Sequence, residues 1–144
     1  MKALMTCTFF GHRDFPREMT SVLRAQIVNL IEKHGATRFY VGNQGHFDYA
    51  VLQILRTCKQ NYPYIQYSVV LAYLPGEALP GIDAAETLLP EVVERAPRRY
   101  AICYRNRRMP EKADCVVTYI RHTYGGAARY AAQAERRGKE IVRL

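Results

Sequence analysis

The sequence predicts an α/β chain, a Rossmann-like three-layer domain with a mainly parallel sheet of about five strands. Three observations predict it. Short apolar runs of strand type alternate with segments whose apolar residues recur at helical spacing. Glycine-containing turns stand where strand gives way to helix: Gly11-His12-Arg13, Gly42-Asn43-Gln44-Gly45 and Gly125-Gly126. No linker, repeat or low-complexity stretch divides the chain, so residues 1–144 are expected to form a single domain.

Leu4 to Phe10 is rich in β-formers and is broken by Gly11-His12-Arg13-Asp14. Val22, Leu23, Ile27, Leu30 and Ile31 then follow the helical period up to Gly35, a helix stop. Arg38 to Val41 reads as the second strand, and Phe47, Val51, Leu52 and Leu55 mark a second helix that ends before Tyr62-Pro63. Ile65 to Tyr73 is the third strand, closed by Leu74-Pro75-Gly76. From Glu77 to Ala101 Pro80, Gly81, Pro90 and Pro97 interrupt the pattern, which predicts a long excursion with a short helix near Glu91 to Arg95. Tyr104 to Lys112 predicts a short arginine-rich helix leading into a fourth strand, Cys115 to Ile120. Gly125 to Arg137 is helical, with alanines that suit close packing on a sheet. Gly138 stops it, and Glu140 to Leu144 supplies the fifth strand.

The composition narrows the functional classes. With 49% hydrophobic and 24% charged residues in 144, the chain has material for a core without metal or disulfide staples. No apolar run approaches the roughly 18 residues that span a bilayer, and MKALMTCTFF reads as a strand rather than a signal peptide. Cys7, Cys58, Cys103 and Cys115 are scattered, which indicates free thiols in a reducing cytoplasm and no metal site. The net charge of +8 favours anionic partners: nucleotides, nucleic acid or an acidic protein.

In a parallel sheet every strand-to-helix turn falls on one edge, where backbone N–H groups and helix N-termini bind phosphates. The expected ligand site therefore gathers Gly11, His12, Arg13, Gly42, Asn43, Gln44, Gly45, Asp48, Thr123, Gly125 and Gly126. Arg13 suits bidentate contact with a phosphate, and His12 a hydrogen bond or proton transfer. Asp48 is placed to interact with the helix dipole or to hold a ribose hydroxyl. Arg105 or Arg108, in a crowded arginine segment, is expected to neutralise phosphate charge, and Thr123 to cap the last helix or touch the same phosphate. There is no GxGxxG and no GxxxxGK[ST], which disfavours the ordinary dinucleotide fold and the P-loop, and no separate cofactor is expected.

The series GHR after the first strand, YVGNQGHFD after the second, YRNRRM, then AD, a strand and YGGAA resembles the SLOG superfamily over nearly the whole chain, within a small bacterial branch. That superfamily includes the DNA-processing proteins and the Lonely Guy phosphoribohydrolases. The resemblance implies a Rossmann-like domain that binds a nucleotide or a nucleotide-derived ligand at the strand ends. In the Lonely Guy enzymes an arginine-rich helix and a PGGxGTxxE turn bind the nucleoside monophosphate, and their arginine and glutamate support N-glycosidic cleavage. Tyr104 to Met109 and Tyr124 to Ala128 occupy those places here, but Tyr124 replaces the proline and no glutamate follows until Glu135. The catalytic candidates left are His12 and Asp48. The expected function is a nucleotide sensor or binding protein; the alternatives are a nucleoside 5′-monophosphate phosphoribohydrolase and a single-stranded nucleic-acid module. By analogy with the fold, a homodimer is expected, with no membrane partner.

Overall fold

The computed structural model describes residues 5–43, 45–71, 81–88, 113–121 and 124–144. Among them, β1 (Met5–Gly11), β2 (Ala36–Val41), β3 (Gln66–Val70), β4 (Thr87–Leu88), β5 (Cys115–Tyr119) and β6 (Glu140–Arg143) form one sheet. Its order is β4-β3-β2-β1-β5-β6, and every pairing is parallel. Among the described residues three α-helices accompany it: α1 (Thr20–His34), α2 (His46–Asn61) and α3 (Gly126–Arg136). The α/β, Rossmann-like architecture is as expected, with six strands in place of about five; the extra one is β4, two residues inside the proline-interrupted excursion. The helices expected at Glu91 to Arg95 and Tyr104 to Lys112 lie outside the described residues.

The order of the sheet follows from where its apolar side chains point. Successive residues of a strand face opposite sides, so the neighbours Phe9 and Phe10, and Val116 and Val117, feed two different cores. On one side Leu23, Ile27 and Leu30 of α1 and Phe47, Val51 and Leu55 of α2 pack on Phe9, Phe39, Val41, Val69 and Val117. On the other, Tyr130 and Ala134 of α3 pack on Phe10, Tyr40, Val70 and Val116. Each fully buried side chain of this size is worth about 1.5–3 kcal/mol relative to exposure. Right-handed crossovers place the helices this way. From β1 the chain steps toward β4 through α1 and α2, and it steps the other way through α3, so the helices fall on opposite faces.

Cys7 and Cys115 are register partners on β1 and β5, and both are buried free thiols. The hydrogen bond to Cys115, together with burial, pushes the Cys7 thiol well above its ordinary range, so it stays protonated.

Residues 81–88 are fastened to the body by the β3–β4 pairing and by the Glu86 carboxylate. Arg56 of α2 donates to Glu86 through Nε (2.9 Å to Oε2) and Nη2 (2.8 Å to Oε1). The Tyr67 hydroxyl of β3 donates to Oε2 at 2.5 Å, the Asp83 N–H donates to Oε1 at 3.0 Å, and Arg56 also donates to the Gly81 carbonyl. The Arg56 guanidinium, helped by Tyr67 and the Asp83 amide, holds the Glu86 carboxyl down at about 2. Burial and the neighbouring Glu86 push the Tyr67 phenol up to about 12.

Candidate functional site

The strand order reverses between β1 and β5. The chain leaves β1 toward one face of the sheet and leaves β5 toward the other. In open parallel sheets such a switch point is where ligands bind, outside the carboxyl ends of the strands. Gly11 ends β1 and His12 and Arg13 follow it, Gly42, Asn43 and Gly45 follow β2, and Gly125 precedes α3, which Gly126 opens. The structure thus brings these predicted residues to one edge. Gln44, Arg105, Arg108 and Thr123 lie outside the described residues.

Three hydrogen bonds tie the loops together. The His12 N–H donates to the Tyr119 carbonyl (3.2 Å), and the Arg121 N–H donates to His12 Nε2 (2.9 Å). The His46 N–H, at the start of α2, donates to the Arg13 carbonyl (2.9 Å). His12 is only 8% exposed, and an Nε2 that accepts requires the ring proton on Nδ1, so the imidazole is neutral. Its Nε2 braces the β1 loop against the β5 loop and is not the nitrogen that could give up a proton. Beneath the loops Phe15 packs edge-on against Phe47 (5.3 Å between centroids) and Tyr119 (4.9 Å). The Arg121 guanidinium lies over the Tyr119 ring at 4.4 Å and donates to the Leu144 carbonyl at 2.7 Å, which draws it toward the β6 side.

The glycines serve different ends. Gly45 and Gly125 are the N-caps of α2 and α3, with φ/ψ of 94°/−176° and 95°/171°. That region of backbone space is almost confined to glycine. Neither residue carries a side chain to cap the first turn; in α2 the first amide, that of His46, is taken by the Arg13 carbonyl instead. Gly11 differs, since a Cβ there would sit 2.3 Å from the Phe47 ring. Its absence of a side chain admits Phe47, 0% exposed, beneath the loop; Phe47 is core. Gly126 has nothing closer to its would-be Cβ than 3.9 Å, so in the Gly125-Gly126 pair the backbone demands only the first.

A cleft of about 250 Å³ opens beside the β2 loop, lined by Gly42, Asn43 and Gly45 and by Asp48, Tyr49, Leu52 and Ile82. Asp48, the third residue of α2, is 9% exposed, whereas Tyr49 beside it is 65% exposed. A larger cleft, about 410 Å³, lies between α3 and the β5–β6 edge and contains none of the predicted site residues. The Arg143–Glu135 ion pair (2.9 Å) is among its lining residues. The smaller cleft is the better candidate, because it adjoins the loops that the hydrogen bonds tie together. Sequence reasoning missed Tyr49, Leu52, Ile82 and Arg121. One signal was available for Tyr49: it falls off the buried stripe of α2 that runs through Phe47, Val51 and Leu55.

No group of three or more His, Cys, Asp or Glu side chains that could hold a metal ion occurs among the described residues. No helix among them is long and apolar enough to cross a membrane. No protein-family model matches the chain, and no curated protein does either.

Proposed function

We propose that this protein binds a nucleotide or nucleotide-derived ligand at the carboxyl edge of its sheet and acts as a sensor or binding protein for it. The observation that carries the proposal is the reversal of strand order between β1 and β5, with the loops on both sides of the crevice bonded through His12 and Arg121. Two further features support it. The α2 and α3 N-termini begin at glycines with no capping side chain, and the positive end of a helix dipole attracts negative charge. Arg13 is exposed at the same edge in a chain of net charge +8. A phosphate in the crevice would take backbone N–H groups from the glycine turns and the Arg13 guanidinium.

Calorimetric titration with nucleoside 5′-monophosphates tests this. Arg13→Ala should weaken binding by about tenfold or more, since a hydrogen bond to a charged group is worth roughly 1.5–3 kcal/mol. Unchanged affinity in that variant, or no binding by the wild type, removes the proposal.

One observation favours a second reading, N-glycosidic hydrolysis. Of the two catalytic candidates, Asp48 is a largely buried carboxylate that lines a cleft, the setting in which carboxylates assist glycoside cleavage. Release of free base from nucleoside monophosphates, abolished by Asp48→Asn, would establish it. Ligand recovered intact after prolonged incubation would leave binding alone.

A further inference from the structure

We infer that the cleft between α2 and residues 81–88 is the subsite for the heterocyclic base of the ligand, with Tyr49 as its stacking wall; the inference rests on the nucleotide-binding reading above. The lining has the mixed chemistry that a base requires. Tyr49 presents a largely exposed ring, Leu52 and Ile82 are apolar, and Asn43 and Asp48 are polar. A flat heteroaromatic ring with hydrogen-bonding edges is the ligand part that uses an aromatic face and polar groups together. The volume, about 250 Å³, suits one such ring.

The far wall is built rather than incidental. Ile82 belongs to the segment that Glu86 fastens to Arg56, Tyr67 and the Asp83 amide. The near wall is equally fixed, because Tyr49 sits in the first turn of α2, whose start is bonded to the Arg13 carbonyl. The position also fits the length of a nucleotide. Adjacent strands lie about 4.8 Å apart, so a base beside β2 leaves its phosphate roughly one to two strands away, at the crevice between β1 and β5. Arg13 lies between the two: a Cβ on Gly45 would fall 2.8 Å from the Arg13 Cγ.

The test compares four nucleoside 5′-monophosphates (adenosine, guanosine, cytidine and uridine) with ribose 5-phosphate, titrated calorimetrically into wild type, Tyr49→Ala and Tyr49→Phe. At least one nucleotide should bind more tightly than ribose 5-phosphate. Tyr49→Ala should lower the affinity for that nucleotide by about tenfold, the value of one base stacked on an aromatic ring, and leave ribose 5-phosphate binding unchanged. Tyr49→Phe keeps the ring and should bind as wild type does. Since Tyr49 is mostly exposed, its replacement spares the core. Equal affinity for nucleotides and ribose 5-phosphate, or a Tyr49→Ala variant that binds nucleotide normally, overturns the base subsite and leaves the nucleotide-binding reading standing. A wild type that binds none of the five probes overturns both.

Discussion

Gly11→Ala is a sharp test of how the loops are packed. Gly11 pairs with Tyr119 across the β1–β5 ladder, so its backbone is pinned. An added methyl would lie 2.3 Å from two Phe47 ring atoms and 2.8 Å from a third, whereas ordinary contact begins near 3.4 Å. The ring cannot swing aside cheaply, because it is fully buried and packs on Phe15. Overpacking of this kind costs about 1–3 kcal/mol, and the depth of overlap puts Gly11→Ala in the upper half of that range. For a chain of this length the loss lowers the Tm by roughly 6–12 °C. Chemical denaturation of a double-mutant cycle isolates the cause. Phe47→Leu alone opens space and should cost about 1–2 kcal/mol, but in the Gly11→Ala background it removes the clash, so the pair should be less destabilised than the sum by at least about 1 kcal/mol. If Gly11→Ala lies within about 0.5 kcal/mol of wild type, or the two changes simply add, the reason given for this glycine is wrong.

Glu86 predicts a dependence on acidity. Its carboxyl titrates at about 2 in the fold against an ordinary 4.5, so its contribution is complete above pH 4.5 and drains away as pH falls toward 2. Glu86→Gln should cost about 2 kcal/mol at neutral pH and flatten that part of the stability profile measured by urea unfolding. The paired glycines should behave oppositely: Gly125→Ala, forced to φ of 95°, should destabilise by about 1–3 kcal/mol, while Gly126→Ala should be neutral or stabilise by up to about 1 kcal/mol in thermal melts. His12→Ala should cost about 1–3 kcal/mol, since the Arg121 N–H loses its acceptor, and hydrogen exchange at that amide should accelerate; unaltered exchange would deny the brace.

Local patterning made most elements legible. Short apolar runs of strand type located β1, β2, β3, β5 and β6, and the helical periods located α1, α2 and α3, because each is long enough to show its pattern. β4 escaped because two residues carry none. The reversal at β1 also escaped, since nothing local in Cys115–Tyr119 says that it lies beside β1 rather than beyond β3. The placement of several candidate residues was legible from the rule that parallel strands share an edge, and the edge residues Asn43, Gly45 and Gly125 follow it. Their reasons were less so. Gly11 was expected at the ligand site and makes space for Phe47, and His12, suited to a hydrogen bond or proton transfer, accepts an amide from a residue far along the chain. Ile82 and Tyr49 meet at one cleft through the Arg56–Glu86 fastening and the β3–β4 pairing, contacts between segments that sequence spacing does not relate.

The central place of β1 sets the order in which the chain can assemble during synthesis. β1, β2 and β3 are complete within the first 70 residues, whereas the strand that covers the other side of β1 begins at Cys115. Until Cys115–Tyr119 leaves the ribosome, Cys7, Phe9 and Phe10 sit on an open edge with unpaired amides and carbonyls, a template for pairing with another nascent chain. A truncation that stops before residue 113 should therefore yield a self-associating half-sheet, and late closure by β5 makes this a slow folder with strongly non-local contacts.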